Sequence, residues 1–246
     1  MKRRRFTAGI MLITIGPFVR SKLVGGEKLM DIREPCVFIC NHSELFGPMT
    51  CVATLPFYIR PWVDERMTDK KLAKEHIMAN TMSVKKWPLK TKRLYSSLAG
   101  KIASGVIKQF DPIPVGKLSM RAVSEMLNKS IQALAAGHNI LIFPENSSKE
   151  KDGRYKKTGF SDFHPAFSHL AKKFYDATKE ILTFYPLYAD RELHILSVGD
   201  PVVYKPENNS SEECRRITSE IRDEMNKLYF EIEKVKFEKW EKRFRK

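Results

Sequence analysis

Two stretches of the sequence place polar side chains directly after apolar, strand-like runs. Val37–Cys40 ends at Asn41 and His42, and the run 139–143 ends at Pro144 and Glu145. A histidine in such a position can take a proton from a hydroxyl group. Because the ligand sites of parallel sheets lie at the carboxyl ends of the strands, we expect both stretches to face one crevice. The pattern therefore predicts a catalytic site at His42, and the alternative is a structural histidine whose hydrogen bonds are satisfied within the fold.

Glu44 is the carboxylate that we expect to hold the imidazole of His42. A helix is predicted to begin at Pro48 with Gly47 at its N-cap, which leaves residues 43–46 as a non-helical turn. Such a turn can fold Glu44 back onto the ring, a contact that two-residue spacing forbids inside a regular helix. The alternative is that Glu44 is a solvated loop residue and His42 uses water or a more distant carboxylate.

The order and spacing of four motifs between about residues 34 and 190 resemble the glycerolipid and lysophospholipid acyltransferase family. That family carries an Asn-His-x-x-x-x-Asp motif, a short apolar strand that ends in arginine, a Phe-Pro-Glu-Gly-Thr-Arg motif and an apolar strand with a central proline. The corresponding stretches here are Asn41-His42 with Pro48, Ile113-Pro114-Val115-Gly116-Lys117, Phe143-Pro144-Glu145-Asn146-Ser147-Ser148 and Phe184-Tyr185-Pro186-Leu187.

The resemblance implies transfer of a fatty acyl group from a thioester to the hydroxyl of a lysophospholipid or related glycerolipid. His42 would act as general base, without a covalent acyl-enzyme. Acyl-CoA or acyl-carrier protein would be the co-substrate, and neither a cofactor nor a metal is implied. The residues expected to bind substrate are Asn41, Lys117, Glu145, Asn146, Ser147, Ser148 and Lys149. For Glu145, the alternative is a carboxylate that caps nearby backbone amides.

Several positions depart from the family pattern. Gly47 replaces the motif aspartate, and Ser148 replaces the arginine expected to hold an acceptor phosphate. Lys117 and Lys149 can supply positive charge, although lysine lacks the two-pronged fork of arginine. If Glu44 replaces the lost aspartate, an aspartate restored at position 47 should compensate in part for loss of Glu44. The departures leave a second hypothesis open, a catalytically weakened lipid-binding relative.

The chain is strongly basic, with a formal net charge of +15 and a pI of about 9.6. This balance indicates an anionic partner, which can be nucleic acid, anionic lipid headgroups or a phosphorylated substrate. No zinc-finger, aromatic RNA-binding or basic-zipper pattern accompanies the charge, so a nucleic-acid-binding protein is the least favoured hypothesis. The four cysteines form no C-x-x-C pair, and no zinc-ligand spacing is present.

The N-terminus combines a basic start, Met1–Arg5, with an apolar run from Phe6 to Val19. The run is shorter than the roughly 20 residues that span a bilayer. We therefore expect a helix that lies on the cytoplasmic face of the cell membrane, as a peripheral or monotopic anchor. The alternative is a packed N-terminal helix with a basic tail.

The remaining pattern alternates strands and helices, which predicts an α/β sandwich in one domain with a mixed, largely parallel sheet flanked by helices. We expect a membrane-associated segment over residues 1–30, the α/β domain over 31–205, and a long helix over 206–246 packed on that domain. Ser210 and Glu213 have the spacing of a capping box for this helix. The protein is expected to be a monomer. The apolar stripe of the last helix comprises Ile217, Ile221, Met225, Leu228, Ile232 and Val235.

Overall fold

The computed structural model describes residues 20–32, 35–43, 46–80, 82, 85–116, 119–145, 160 and 163–244. In chain order, the strands and α-helices of these residues are β1 (Lys22–Val24), β2 (Cys36–Cys40), α1 (Phe46–Thr54), β3 (Ile59–Asp64), α2 (Glu65–Thr68), α3 (Lys70–Asn80), α4 (Leu89–Gln109), β4 (Ile113–Val115), α5 (Met120–Ala135), β5 (Asn139–Ile142), α6 (His169–Thr178), β6 (Thr183–Asp190), β7 (Ile195–Val198), β8 (Val202–Val203) and α7 (Ser210–Phe244). They fall into two compact units, residues 60–130 and residues 20–59 with 131–244.

The sheet of the second unit has β2 between two parallel neighbours. Val37 of β2 is in register with Ile140 of β5 on one side and with Phe184 of β6 on the other. β1 and β7 are parallel to each other, and β6 pairs antiparallel with β7 and β8. The predicted mixed, largely parallel sheet of an α/β fold is confirmed.

Strand β2 is the most deeply buried part of this sheet. All five of its residues are buried, which is typical of a strand covered on both faces. Cys36, Phe38 and Cys40 alternate along one face and belong to a core cluster with Leu141 and Leu187. The residues that follow β2 are therefore attached to a closely packed strand.

The first unit combines a parallel pair of strands, β3 and β4, with helices α2, α3 and α4. The face of α4 that is buried carries small residues, Ser96, Gly100 and Ser104. A Cβ atom added at Gly100 would lie 2.8 Å from the backbone nitrogen of Lys74 in α3. The absence of a side chain at Gly100 thus permits α3 and α4 to approach closely.

Helix α7 is 35 residues long, as predicted for the C-terminal segment, and it packs against β6 and β8. The predicted apolar stripe is buried from Ile217 to Ile232, whereas Val235 is exposed. The start of the helix differs from the predicted capping box. Asn209 Oδ1 accepts the Ser211 N–H at 3.0 Å, and Glu213 accepts the N–H of Lys205 at 2.8 Å.

Glu213 is expected to make stability depend on acidic pH. Burial alone would raise the pKa of Glu213, but hydrogen bonds from Arg216, Asn208 and the Lys205 N–H lower it from 4.5 to about 2. A depressed carboxyl pKa stabilises the fold above the unfolded value, and this contribution is lost as pH falls from about 4.5 to 2. We expect Glu213→Gln to cost about 2–3 kcal/mol at pH 7 in urea unfolding, and almost nothing near pH 2.

The matched control for this experiment is Glu212→Gln, at the exposed neighbouring position. It should change the free energy of unfolding by less than about 0.5 kcal/mol at either pH. Equal losses in the two variants at pH 7 would contradict the role assigned to Glu213.

Among the described residues, no helix is both long enough and apolar enough to cross a membrane. The helix predicted over residues 6–19 lies outside the described residues.

Candidate functional site

The two stretches that were expected to share a crevice lie side by side. His42 follows β2 and Glu145 follows β5, and the backbone N–H of His42 donates a hydrogen bond to Glu145 Oε1 at 2.8 Å. The contact forms because β2 and β5 are adjacent and parallel, so their carboxyl ends coincide. It is the contact expected of a carboxylate that caps a backbone amide, and it joins residues 103 positions apart in the chain.

The imidazole of His42 is half-buried beside the ring of Phe143. The two ring centroids are 5.2 Å apart and the ring planes are inclined by 60°. Ser43, which follows, adopts a left-handed backbone conformation with φ of 41°, and its carbonyl accepts the Phe46 N–H at 3.1 Å. The ring contact with Phe143 and the turn at Ser43 together fix the direction of the chain where it leaves strand β2.

Asn41 ties the end of β2 to β6 through its side-chain amide. Its Nδ2 group donates to the carbonyl of Ala189 at 3.1 Å, and its Oδ1 atom accepts the Ala189 N–H at 2.7 Å. Asn41 is buried. The Asn41 side chain therefore fastens the strand end that carries His42 to the backbone of β6.

Gly47 allows helix α1 to lie directly against the backbone of the site. The helix begins at Phe46 and not at the predicted Pro48, so Gly47 is its second residue. A Cβ atom at this position would lie 2.4 Å from the His42 carbonyl oxygen and 2.6 Å from that of Asn41. No side chain fits there without a backbone shift. This close contact argues against the expectation that an aspartate at position 47 compensates for loss of Glu44.

The thiol next to the site is held in its neutral form. Burial raises the pKa of Cys40 well above its usual value, and the neighbouring Cys51 thiol and the Glu145 carboxylate raise it further. Because the thiolate is the reactive form of cysteine, Cys40 is a poor nucleophile.

Six predicted site residues lie outside the described residues: Glu44, Lys117, Asn146, Ser147, Ser148 and Lys149. Of the predicted set, the structure brings together Asn41, His42 and Glu145. Within the described ranges, no cluster of His, Cys, Asp and Glu could hold a metal ion.

Glu145 is expected to act as a positioning residue for His42. Replacing it with alanine removes the acceptor of the His42 N–H, and we expect kcat for the proposed acyl transfer to fall about tenfold or more, since a buried donor without a partner costs about 1–3 kcal/mol. Glu145→Gln keeps an acceptor oxygen and should retain most of the rate. Equal kcat losses for alanine and glutamine, or a change in KM alone, would contradict positioning through this hydrogen bond.

No family model matches the sequence, and no curated protein sequence is significantly similar to it. The structure is similar to the crystal structure of the 1-acyl-sn-glycerophosphate (LPA) acyltransferase PlsC from Thermotoga maritima. The TM-score is 0.54, with 17% sequence identity over 93% of this chain and 83% of that chain. The chain therefore has a PlsC-like α/β fold.

Proposed function

We propose that the protein is a glycerolipid or lysophospholipid O-acyltransferase. It would move a fatty acyl group from acyl-CoA or acyl-carrier protein to the hydroxyl of a lysophospholipid or a related glycerolipid. The observation that carries the proposal is the hydrogen bond from His42 N–H to Glu145 Oε1. It brings the two polar strand ends together at the edge of the sheet where ligands of parallel sheets bind.

His42 is the general base of the proposed reaction. Its imidazole takes the proton of the acceptor hydroxyl while the hydroxyl oxygen forms a bond to the thioester carbonyl carbon. The tetrahedral intermediate then collapses, the carbon–sulfur bond breaks, and the leaving thiolate takes the proton from the imidazolium. The products are an ester and a free thiol. No protein nucleophile takes part, in keeping with the raised pKa of the Cys40 thiol.

The other residues of the site have supporting roles in this proposal. Asn41 and Glu145 hold the backbone of His42 in place through their hydrogen bonds. Glu44 orients the imidazole. The acceptor headgroup and the oxyanion would be bound by a polar and basic set comprising Lys117, Asn146, Ser147, Ser148 and Lys149.

We place the protein, as a monomer, on the cytoplasmic face of the cell membrane. The basic N-terminus followed by a short apolar run supports a peripheral or monotopic anchor. The net charge of +15 supports attraction to anionic headgroups.

A lipid-binding relative without turnover is the second candidate function. The observation that favours it is the packing of Gly47, which excludes a carboxylate at the position of the family aspartate. In that case the same crevice would hold a lysolipid but would not acylate it.

Radiolabelled acyl-CoA and acyl-carrier-protein thioesters, offered with a panel of phosphorylated and neutral lysolipids, test the proposal. Formation of a labelled diacyl lipid with release of the thiol supports acyl transfer, and a preference for phosphorylated acceptors supports the basic anion site. Lysolipid binding without product, for every donor and acceptor, would assign the lipid-binding function instead.

A further inference from the structure

The outward face of helix α4 carries large aliphatic side chains. Leu94, Leu98 and Ile102 recur at spacings of four residues, which places them in one stripe along the helix. Their exposed fractions are 72%, 60% and 54%. A row of such exposed side chains on adjacent turns is not a typical feature of a water-facing helix, which presents polar residues outward.

The inward face of α4 has the opposite character. The small residues Ser96, Gly100 and Ser104 are buried, and Gly100 lies directly against the α3 backbone at Lys74. Small residues on the packed face and aliphatic residues on the outer face are typical of helices whose outer face contacts lipid, because hydrocarbon does not penalise exposed leucine. The polarity of α4 is thus inverted relative to a helix surrounded by water.

An aromatic pair lies at the N-terminal end of the stripe. Trp87 and Tyr95 contact each other edge to face, with ring centroids 5.7 Å apart, and both are exposed. Exposed tryptophan and tyrosine are enriched at the level of lipid headgroups, where one part of the ring system is apolar and the other polar.

The charged residues of the segment that carries the stripe are all positive, and the neighbouring helix α3 adds one carboxylate, Glu75, in a groove with Leu89 and Arg93. The segment from Lys85 to Lys108 contains seven Lys or Arg residues and no Asp or Glu. Lys90, Lys101 and Lys108 are exposed and, at 3.6 residues per turn, lie within about 20° of one another beside the aliphatic stripe. A cationic row next to an apolar row matches the surface of an anionic bilayer, with acyl chains below and phosphates above.

We propose that α4 is a membrane-insertion surface, which buries Leu94, Leu98 and Ile102 in the acyl-chain boundary of an anionic bilayer. The lysines of the helix contact lipid phosphates, and the aromatic pair lies at headgroup level. Helix α4 is separate in sequence from the membrane-associated segment proposed over residues 1–30. The proposal rests on the membrane location proposed above and does not depend on the acyl-transfer step.

A fluorescent label that reports local polarity tests insertion in the full chain, whatever other segments bind the membrane. Leu98→Cys carries the label, and the control is Ile181→Cys, at an exposed aliphatic position in the second unit. The four native cysteines are buried and should react slowly. With phosphatidylcholine–phosphatidylglycerol vesicles, we expect a blue shift and quenching by lipid-borne quenchers at position 98 but not at position 181.

A set of surface variants measures the contribution of the stripe to binding. Changing Leu94, Leu98 and Ile102 together to asparagine should weaken vesicle binding by about tenfold or more. The matched control changes three exposed aliphatic residues of the second unit, Ile181, Val203 and Val235, to asparagine. This control should change vesicle binding by less than twofold.

Two results would overturn the proposal. One is an unchanged spectrum at position 98 when vesicles are added. The other is a blue shift that appears without vesicles as protein concentration rises, which would make the stripe an interface between two copies of the chain. An active enzyme without insertion at position 98 would refute only this proposal, whereas insertion in a protein that transfers no acyl group would refute only the proposed function.

Discussion

Replacing His42 with alanine is expected to lower the rate constant for acyl transfer by about 10²–10⁴-fold, the usual contribution of a general base. The imidazole would be the group that receives the hydroxyl proton, whereas the hydrogen bond of residue 42 to Glu145 uses the backbone N–H. An alanine retains that backbone contact. The variant should therefore fold normally, and its KM for the acceptor should change much less than kcat.

The experiment compares single-turnover rates of the wild type, His42→Ala and a control, His76→Ala in helix α3 of the first unit. The control should transfer acyl groups within about twofold of the wild-type rate, because no role in the reaction is assigned to His76. A folded His42→Ala variant that keeps more than about a tenth of the wild-type rate would show that His42 is not the general base.

Replacing Gly47 with alanine is expected to disturb both stability and activity. The added Cβ atom would meet the His42 carbonyl oxygen at 2.4 Å, so either helix α1 or the strand end must move. Both are backbone, and overpacking of this kind costs about 1–3 kcal/mol or more. Because the displaced backbone carries His42, we expect kcat to fall at least about tenfold as well.

Gly105→Ala in α4 is the matched control, since a Cβ atom there meets nothing within 4 Å. Alanine in a helix interior is more favourable than glycine by about 0.5–1 kcal/mol, so this variant should be equally or more stable in urea. If Gly47→Ala unfolds at the same urea concentration as Gly105→Ala and retains full activity, the close approach at Gly47 does not constrain the site.

The sequence was sufficient to predict the strand ends that carry the site. Residues 36–40 and 140–143 are apolar throughout, as in strands buried on both faces. Polar residues that follow such runs, Asn41 and Glu145 here, mark the carboxyl ends of the strands. Once a parallel sheet was inferred from the alternation of elements, the proximity of His42 and Glu145 followed from strand geometry.

Gly47 was harder to interpret because its effect is spatial. In the sequence it marks only the lack of a side chain, and its close contact with the carbonyls of Asn41 and His42 depends on the angle of helix α1. The start of that helix at Phe46 was missed for the same reason, since the proline at position 48 also suits the third residue of a helix.

Helices in the first unit show a second limit of sequence patterns. Lys70–Asn80 is rich in charge and carries few large apolar residues, so its helix was not predicted. The spacing of Leu94, Leu98 and Ile102 is typical of one face of a helix, but periodicity cannot decide whether the aliphatic or the small-residue face of α4 packs on a neighbour.

The central position of β2 also has a consequence for how the chain folds. β2 contacts β5 across 103 residues, and Asn41, which follows β2, contacts β6 across 148. At synthesis rates of about 5–20 residues per second, β5, the first parallel neighbour of β2, is synthesised roughly 5–20 s after β2. During that interval the apolar segment Cys36–Cys40 has two open edges and can aggregate. We therefore expect the yield of native protein from the ribosome to depend on chaperones that shield this segment until the second half of the chain arrives.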